Sequence, residues 1–230
     1  MTLKDFQDRI GIHLTDEALL QQAFTHRSYL NEHATLGLEH NERLEFLGDA
    51  VLELVVTDYL YRTYKEPEGV LTNWRSALVK TESLSAVAAT LELSEFFRMS
   101  RGESRGNDRS RAQISANATE AVIGAIYLDQ GYDSAADFIR RFIISRLPEI
   151  LEQGTWVDAK SHFQEVAQDQ YGLTPTYKVI GELGPDHDKR FTVGAFVGDK
   201  LLGQGDGSSK QAGQQAAAEK ALAAIKATKG

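Results

Sequence analysis

Asn41-Glu42-Arg43-Leu44-Glu45-Phe46-Leu47-Gly48-Asp49 is the stretch on which the reading of this chain turns. At about 100° per residue, a helix puts Glu42, Glu45 and Asp49 within a sector of roughly 60°, while Leu44, Leu47 and Val51 point away from it. Three carboxylates thus share one face, and Arg43 lies off it. Two carboxylates about 4 Å apart repel by about 4 kcal/mol at an effective dielectric near 20, so the isolated helix does not favour the cluster. One explanation is a solvated helix surface, although Gly48 and the neighbouring apolar residues make solvation awkward. The other is a divalent cation, which converts the repulsion into binding. Oxygen-only ligands select a hard ion, Mg²⁺ or Mn²⁺ rather than zinc. Such a site suits a metal-assisted hydrolase in which ions activate water and stabilise the leaving oxygen.

Working outward, the helix from Asn41 continues through Val51, Leu52, Leu54, Val55, Tyr59 and Leu60, apolar nearly all round after Asp49, and is expected to be central. Before it, Leu3 to Ile10 and Thr15 to Asn31 read as helices, the second with Thr15 as N-cap and His26 as a structural hydrogen-bonding residue near its end. After it, Pro67 and Gly69 break the pattern, and Glu68 between them reads as a solvated loop residue. Leu71 to Leu91 resumes helical spacing. Phe96 to Arg111 holds five arginines, at 98, 101, 105, 109 and 111, in either a mobile basic loop or a phosphate contact. Ser115 to Asp129 is a helix rich in small residues. It carries Asn117 and Glu120 one turn apart, and close approach to a neighbour could bring both to the Glu42 face. Tyr132 to Leu151 is the last helix before Pro148, Gly154 and Trp156 mark a boundary.

Beyond that boundary the pattern becomes α-β-β-β-α. Lys160 to Tyr171 is helical and Thr176 to Ile180 alternates as a strand. Phe191 to Val197 and Lys200 to Gln204 form a hairpin turned at Gly198-Asp199, and Ser209 to Lys226 is an Ala-rich helix capped by Ser208 or Ser209. The helix carrying Gln164, the loop carrying His187 and Lys189, and the helix N-terminus at Lys210 could together touch two minor grooves and the intervening phosphates of an A-form duplex. A turn at 184–191 with no ligand, and a small dimerisation module, are the alternatives.

Composition narrows the classes. The 230 residues contain no cysteine, which removes disulfides, thiolate metal sites and a Cys nucleophile. No apolar run approaches a membrane span, and the charged N-terminus lacks a signal-peptide core, so a cytoplasmic protein is expected. The net charge of -8 argues at first against a nucleic-acid partner. From Thr155 onward, however, nine Lys or Arg balance nine Asp or Glu, so the deficit, sixteen against twenty-four, lies wholly in the first 154 residues.

Three motifs carry a resemblance over nearly the whole chain. NERLEFLGDAVL at 41–52 resembles the signature of bacterial ribonuclease III, and TEAVIGAIYLDQ at 119–130 resembles its second catalytic helix. The segments DAKSHFQE at 158–165, GPDHDKRF at 184–191 and the run from Ser208 to Leu222 are similar to its double-stranded RNA-binding domain. The resemblance implies an all-α endonuclease domain at 1–152, a linker at 153–157 and an α+β double-stranded RNA-binding domain at 158–228. It implies a homodimer whose two sites cut the two strands of an RNA duplex, leaving 5′-phosphate and 3′-hydroxyl ends with short 3′ overhangs. Ribosomal RNA precursors and messenger RNA are the expected substrates. By position, Glu42, Glu45, Asp49 and Glu120 match the metal-site carboxylates, Glu68 an acidic residue near the cleavage site, and Phe46 an aromatic that plugs into the partner subunit.

Two positions depart from the pattern. Asn117 stands where Asp is usual. Its amide oxygen can still ligate Mg²⁺ or hold a water but brings no charge, so metal affinity should fall, Mn²⁺ should serve better and cleavage should be reduced. The rival expectation is a duplex-RNA-binding protein that has lost turnover through Asn117. Gln211 follows Lys210 where a second lysine is usual, and Gly213 within that helix should cost it about 1 kcal/mol.

Overall fold

The computed structural model describes residues 2–33, 37–153, 159–185 and 189–227. Packing divides the chain into two compact units, Met1–Trp156 and Val157–Gly230. All of the linker expected at 153–157 except Gln153 lies outside the described residues.

The first unit is helical: α1 Leu3–Ile10, α2 Glu17–Ala23, α3 Arg27–Glu32, α4 Glu42–Thr63, α5 Glu68–Val79, α6 Thr81–Thr90, α7 Asp108–Phe142 and α8 Leu147–Gln153. Thr2 and Asp5 close a capping box at the start of α1, the Asp5 carboxylate accepting the Thr2 N–H at 2.6 Å. The core is built around α4 and α7, with Leu52, Leu60, Ile123, Ile126 and Phe138 fully buried alongside Phe6, Leu20, Leu78 and Leu84.

Several boundaries differ from the sequence reading, each for a tertiary reason. Thr15 to Asn31 is two helices. The Phe24 carbonyl and the His26 N–H pair with Arg98 of the later loop, each at 2.9 Å, which pulls the backbone out of helical geometry. Asp16, not Thr15, caps α2, and His26 opens α3 by accepting the Ser28 N–H. Leu71 to Leu91 is likewise split, because Lys80 is extended (φ −63°, ψ 154°) and swings α6 away from α5. The apolar spacing runs through that break and hides it. Glu68 is not in a loop; it begins α5. The arginine-rich segment is partly helical, since α7 starts at Asp108 with Asn107 as its cap, and exposed polar residues in its first turns give no periodicity to read. Gly131 (φ +78°) interrupts α7, and Pro148 sits in the first turn of α8, where its missing N–H costs nothing.

The second unit consists of α9 Ala159–Tyr171, β1 Thr176–Leu183, β2 Arg190–Val197, β3 Lys200–Gly207 and α10 Lys210–Ala227. The sheet is antiparallel in the order β1-β2-β3, and its core joins Phe163 and Ala167 of α9 to Val193, Ala195, Ala217, Ala218 and Ala221. Both outer strands run past their expected ends. A register shift between Val179 and Gly181 breaks the alternation of β1, while β3 pairs through Gly207 despite a glycine-rich sequence of low strand propensity. Those glycines let α10 lie against the sheet, and a Cβ at Gly213 would come within 2.7 Å of Val193 Cγ2. Gly213 therefore exchanges helix propensity for close packing.

Candidate active site

Helices α4 and α7 approach at backbone distance because each contributes a glycine to the crossing. A Cβ on Gly48 would overlap the Glu120 carbonyl, and one on Gly124 would overlap the Leu44 carbonyl. The crossing sets the α7 residues 117 and 120 against the carboxylate face of α4.

Four of the five residues expected in the site come together. The Glu45 carboxyl is held above the ordinary range by burial and by the charges of Glu42 and Asp49, with the Asn117 side chain opposing the shift. The Glu120 carboxyl is pushed up to about 8, first by burial and then by the charges of Asp49, Glu45 and Glu53. All four causes act in one direction. Glu42 stands at the edge, where its Oε1 lies 3.2 Å from Arg27 Nε and its Oε2 3.9 Å from His40 Nδ1.

Two neighbours were not singled out from the sequence. Glu53 is one helical turn beyond Asp49 on the same face, and its Oε2 is paired with Arg75 Nε at 3.0 Å. The i+4 spacing was the available signal. Gln113 donates from Nε2 to Asn117 Oδ1 at 2.7 Å. Glu68 does not join the cluster. It accepts from Thr72 Oγ1 at 3.0 Å and lines a cavity of about 610 Å³ with Leu60, Tyr61, Tyr64 and Leu71. Phe46, next to Glu45, is 80% exposed. Among the described residues, no three Asp, Glu, His or Cys side chains already stand around a common point as metal ligands would.

Linkage gives a test of the cluster. The Glu120 carboxyl ionises near 4.5 when exposed and at about 8 in the folded chain, so between those values the folded state binds more protons than the unfolded state. Stability present below 4.5 is therefore lost as the pH rises to about 8. The melting temperature of protein treated with a chelator should fall across that interval, and Glu120→Gln should flatten the fall. An unchanged slope in Glu120→Gln would remove Glu120 as its source.

In the second unit, exposed Gln164 of α9 shares a polar hollow of about 630 Å³ with Lys160, Ser161, Ser209 and Gln211. Ser209 caps α10 by accepting the Ala212 N–H at 3.1 Å. Lys210 opens α10 with its Nζ 5.7 Å from the centre of the Phe191 ring, and Lys189 Nζ lies 3.4 Å from Glu182 Oε2. His187 lies outside the described residues. Among the described residues, no helix is long and apolar enough to cross a membrane.

Comparison with known proteins agrees with this division. Residues 16–147 match the model of the Ribonuclease-III-like family, and residues 159–225 match that of the double-stranded RNA binding motif. Ribonuclease 3 of Latilactobacillus sakei is 43% identical over 226 residues, covering 98% of each chain. Ribonuclease 3 of Pelotomaculum thermopropionicum is 46% identical over 217 residues, covering 94% of this chain and 90% of the relative. A solved nuclease domain of ribonuclease III from Campylobacter jejuni, described for structural flexibility in a region involved in dimer formation, superposes with a TM-score of 0.58. It is 36% identical to this chain, covering 64% of it and 99% of the solved domain. With both halves matched in order and its relatives spanned almost end to end, the chain belongs to the ribonuclease III family.

Proposed function

We propose that this chain is a divalent-cation-dependent endoribonuclease that hydrolyses double-stranded RNA as a homodimer, with the nuclease domain at 1–152 and the RNA-binding domain at 158–228. The observation that carries this reading is Glu120, a largely buried carboxyl facing Asp49 and Glu45, with every influence on it disfavouring its charge. A dication held among these carboxylates would oppose all three charge contributions. The donor set is oxygen only, which fits Mg²⁺, with Mn²⁺ as substitute, and excludes a zinc preference. Glu45, Asp49 and Glu120 would hold the ion, with Glu42 at the rim. When bound, it would activate water and stabilise the leaving oxygen of a phosphodiester.

The chain's own residues prepare the site. Burial and the neighbouring carboxylates favour a protonated Glu120 at neutral pH, and a cation would need the ionised form, so its binding should strengthen as pH rises. The Asn117 side chain beside Glu45 offsets part of that carboxyl's raised affinity for a proton. Two such sites on a twofold dimer would cut opposite strands, giving 5′-phosphate and 3′-hydroxyl ends with short 3′ overhangs. Ribosomal and messenger RNA precursors are substrates of the right form.

The second unit would grip the duplex through Gln164, the loop carrying His187 and Lys189, and the start of α10. Lys210→Ala should weaken binding to all duplex sequences alike and make the slope of log K against log salt shallower by about one. Salt titrations of duplex binding measure this. A sequence-selective loss would point instead to base readout.

A second reading, a protein that holds duplex RNA without cutting it, is favoured by Asn117, which brings no charge to the site. Incubation with a long RNA duplex, with and without Mg²⁺, separates the two. Metal-dependent shortening supports the nuclease, and retention without shortening supports the binding protein.

A further inference from the structure

The arginine-rich segment between α6 and α7 is tied down at its start. The Arg98 N–H donates to the Phe24 carbonyl and the His26 N–H to the Arg98 carbonyl, both at 2.9 Å, as a short parallel bridge at Thr25. Two residues on, the Ser100 N–H donates to Ser28 Oγ at 3.0 Å. His26 Nδ1 accepts the Ser28 backbone N–H at 3.3 Å, so it is the unprotonated nitrogen of its ring. It lies 2.8 Å from Ser28 Oγ and therefore accepts the hydroxyl proton as well. The donors thus run one way, from Ser100 through Ser28 to His26. On its other side the same short segment is fastened to the start of α4. Buried Asn41 donates its backbone N–H to the Thr25 carbonyl at 2.9 Å and its Nδ2 to the Ala23 carbonyl at 3.2 Å.

Among the described residues, Arg98, Arg101, Arg109 and Arg111 enter no ion pair. Guanidinium groups left unmatched in the half of the chain that carries its whole acidic excess form a local field that attracts a polyanion. We propose that His26 and Ser28 are positioning residues for duplex binding. Through Ser100 they hold the arginine segment in one place beside the start of α4, where its guanidinium groups meet backbone phosphates of an RNA duplex. The inference rests on the nuclease reading for its ligand. A segment pinned before RNA arrives need not be ordered on binding, whereas an unpinned one must be, at a cost in affinity. His26 and Ser28 are both only half-buried, so substitution at either leaves the core intact.

The test combines NMR of the RNA-free protein with binding and cleavage of a long RNA duplex by the full chain. Long-range ¹H–¹⁵N spectra should place the His26 ring proton on Nε2. Ser28→Ala should speed exchange of the Ser100 amide by about ten-fold and weaken duplex binding without Mg²⁺ by about five-fold, as loss of one hydrogen bond does. The slope of log K against log salt should become shallower by about one. In cleavage, the loss should fall on KM and not on kcat, because the segment grips substrate and transition state alike. Ser28→Thr keeps the hydroxyl and should restore binding. A variant carrying both Ser28→Ala and His26→Ala should bind no more weakly than His26→Ala alone, since the two act through one path. A ring proton on Nδ1, unchanged duplex affinity and salt slope in Ser28→Ala, or losses that multiply in the double variant would each overturn the proposal. Should the unsubstituted protein neither bind nor cut duplex RNA, the nuclease reading fails and takes the phosphate role with it. The ring tautomer and the Ser100 exchange rate then still decide whether the latch itself exists.

Discussion

Cleavage of a long RNA duplex by Glu120→Gln protein is expected to fall by on the order of a thousand-fold or more, with duplex binding unchanged. Glutamine keeps the shape and burial of the side chain but removes the anion that a cation at the α4–α7 crossing requires. Metal stabilisation of a developing charge contributes several kcal/mol, and each 1.36 kcal/mol is a factor of ten in rate. The same substitution removes a carboxyl pushed up to about 8, so it should stabilise the metal-free protein at high pH while disabling it. Single-turnover cleavage at saturating Mg²⁺, with gel-shift binding as control, measures the split. Activity within about ten-fold of the unsubstituted protein would take Glu120 out of the site.

The second large effect concerns assembly. Phe46 is 80% exposed, and Leu54 (58%) and Tyr61 (75%) continue the same side of α4 within a sector of roughly 80°. An apolar stripe of this kind on an otherwise charged surface marks a contact face. The cavity of about 610 Å³ bounded by Leu60, Tyr64 and Leu71 is large enough for an aromatic ring. In the proposed twofold dimer the same two features would meet twice, each Phe46 entering the other copy. A buried aromatic anchor contributes about 2 kcal/mol or more, and two symmetry-related losses should weaken dimerisation by on the order of a thousand-fold in Phe46→Ala. Phe46→Asp should abolish it at micromolar protein. Sedimentation equilibrium decides, and a dimer of unchanged affinity would exclude Phe46 from the interface.

Much of the site was legible in local spacing. Glu42, Glu45 and Asp49 share a face wherever that segment is helical, and Asn117 and Glu120 share one on theirs. The small residues of the second helix already pointed to a close crossing. What spacing could not say is which acids the crossing would enclose. Glu53 entered the environment of Glu120, while Glu42 was drawn to Arg27 and His40 at the rim. The apolar continuation of α4 was misleading in one respect. It pointed to a helix central in the fold, yet Leu54 and Tyr61 are exposed. Periodicity reports which residues avoid water, not whether the surface that covers them belongs to the same chain.

The sequence by itself determined the two-part architecture and which carboxylates share a helix face, because helical periodicity, strand alternation and acid spacing are local properties of the chain. Only the tertiary structure decided where helices break, as at Lys80 and at the pairing of Phe24 and His26 with Arg98, since those bends are fixed by partners distant in sequence. It also decided the electrostatics. A carboxyl is ordinary until a neighbouring helix excludes water from it and brings like charges alongside, and at Glu120 that happens because Gly48 lets two backbones touch.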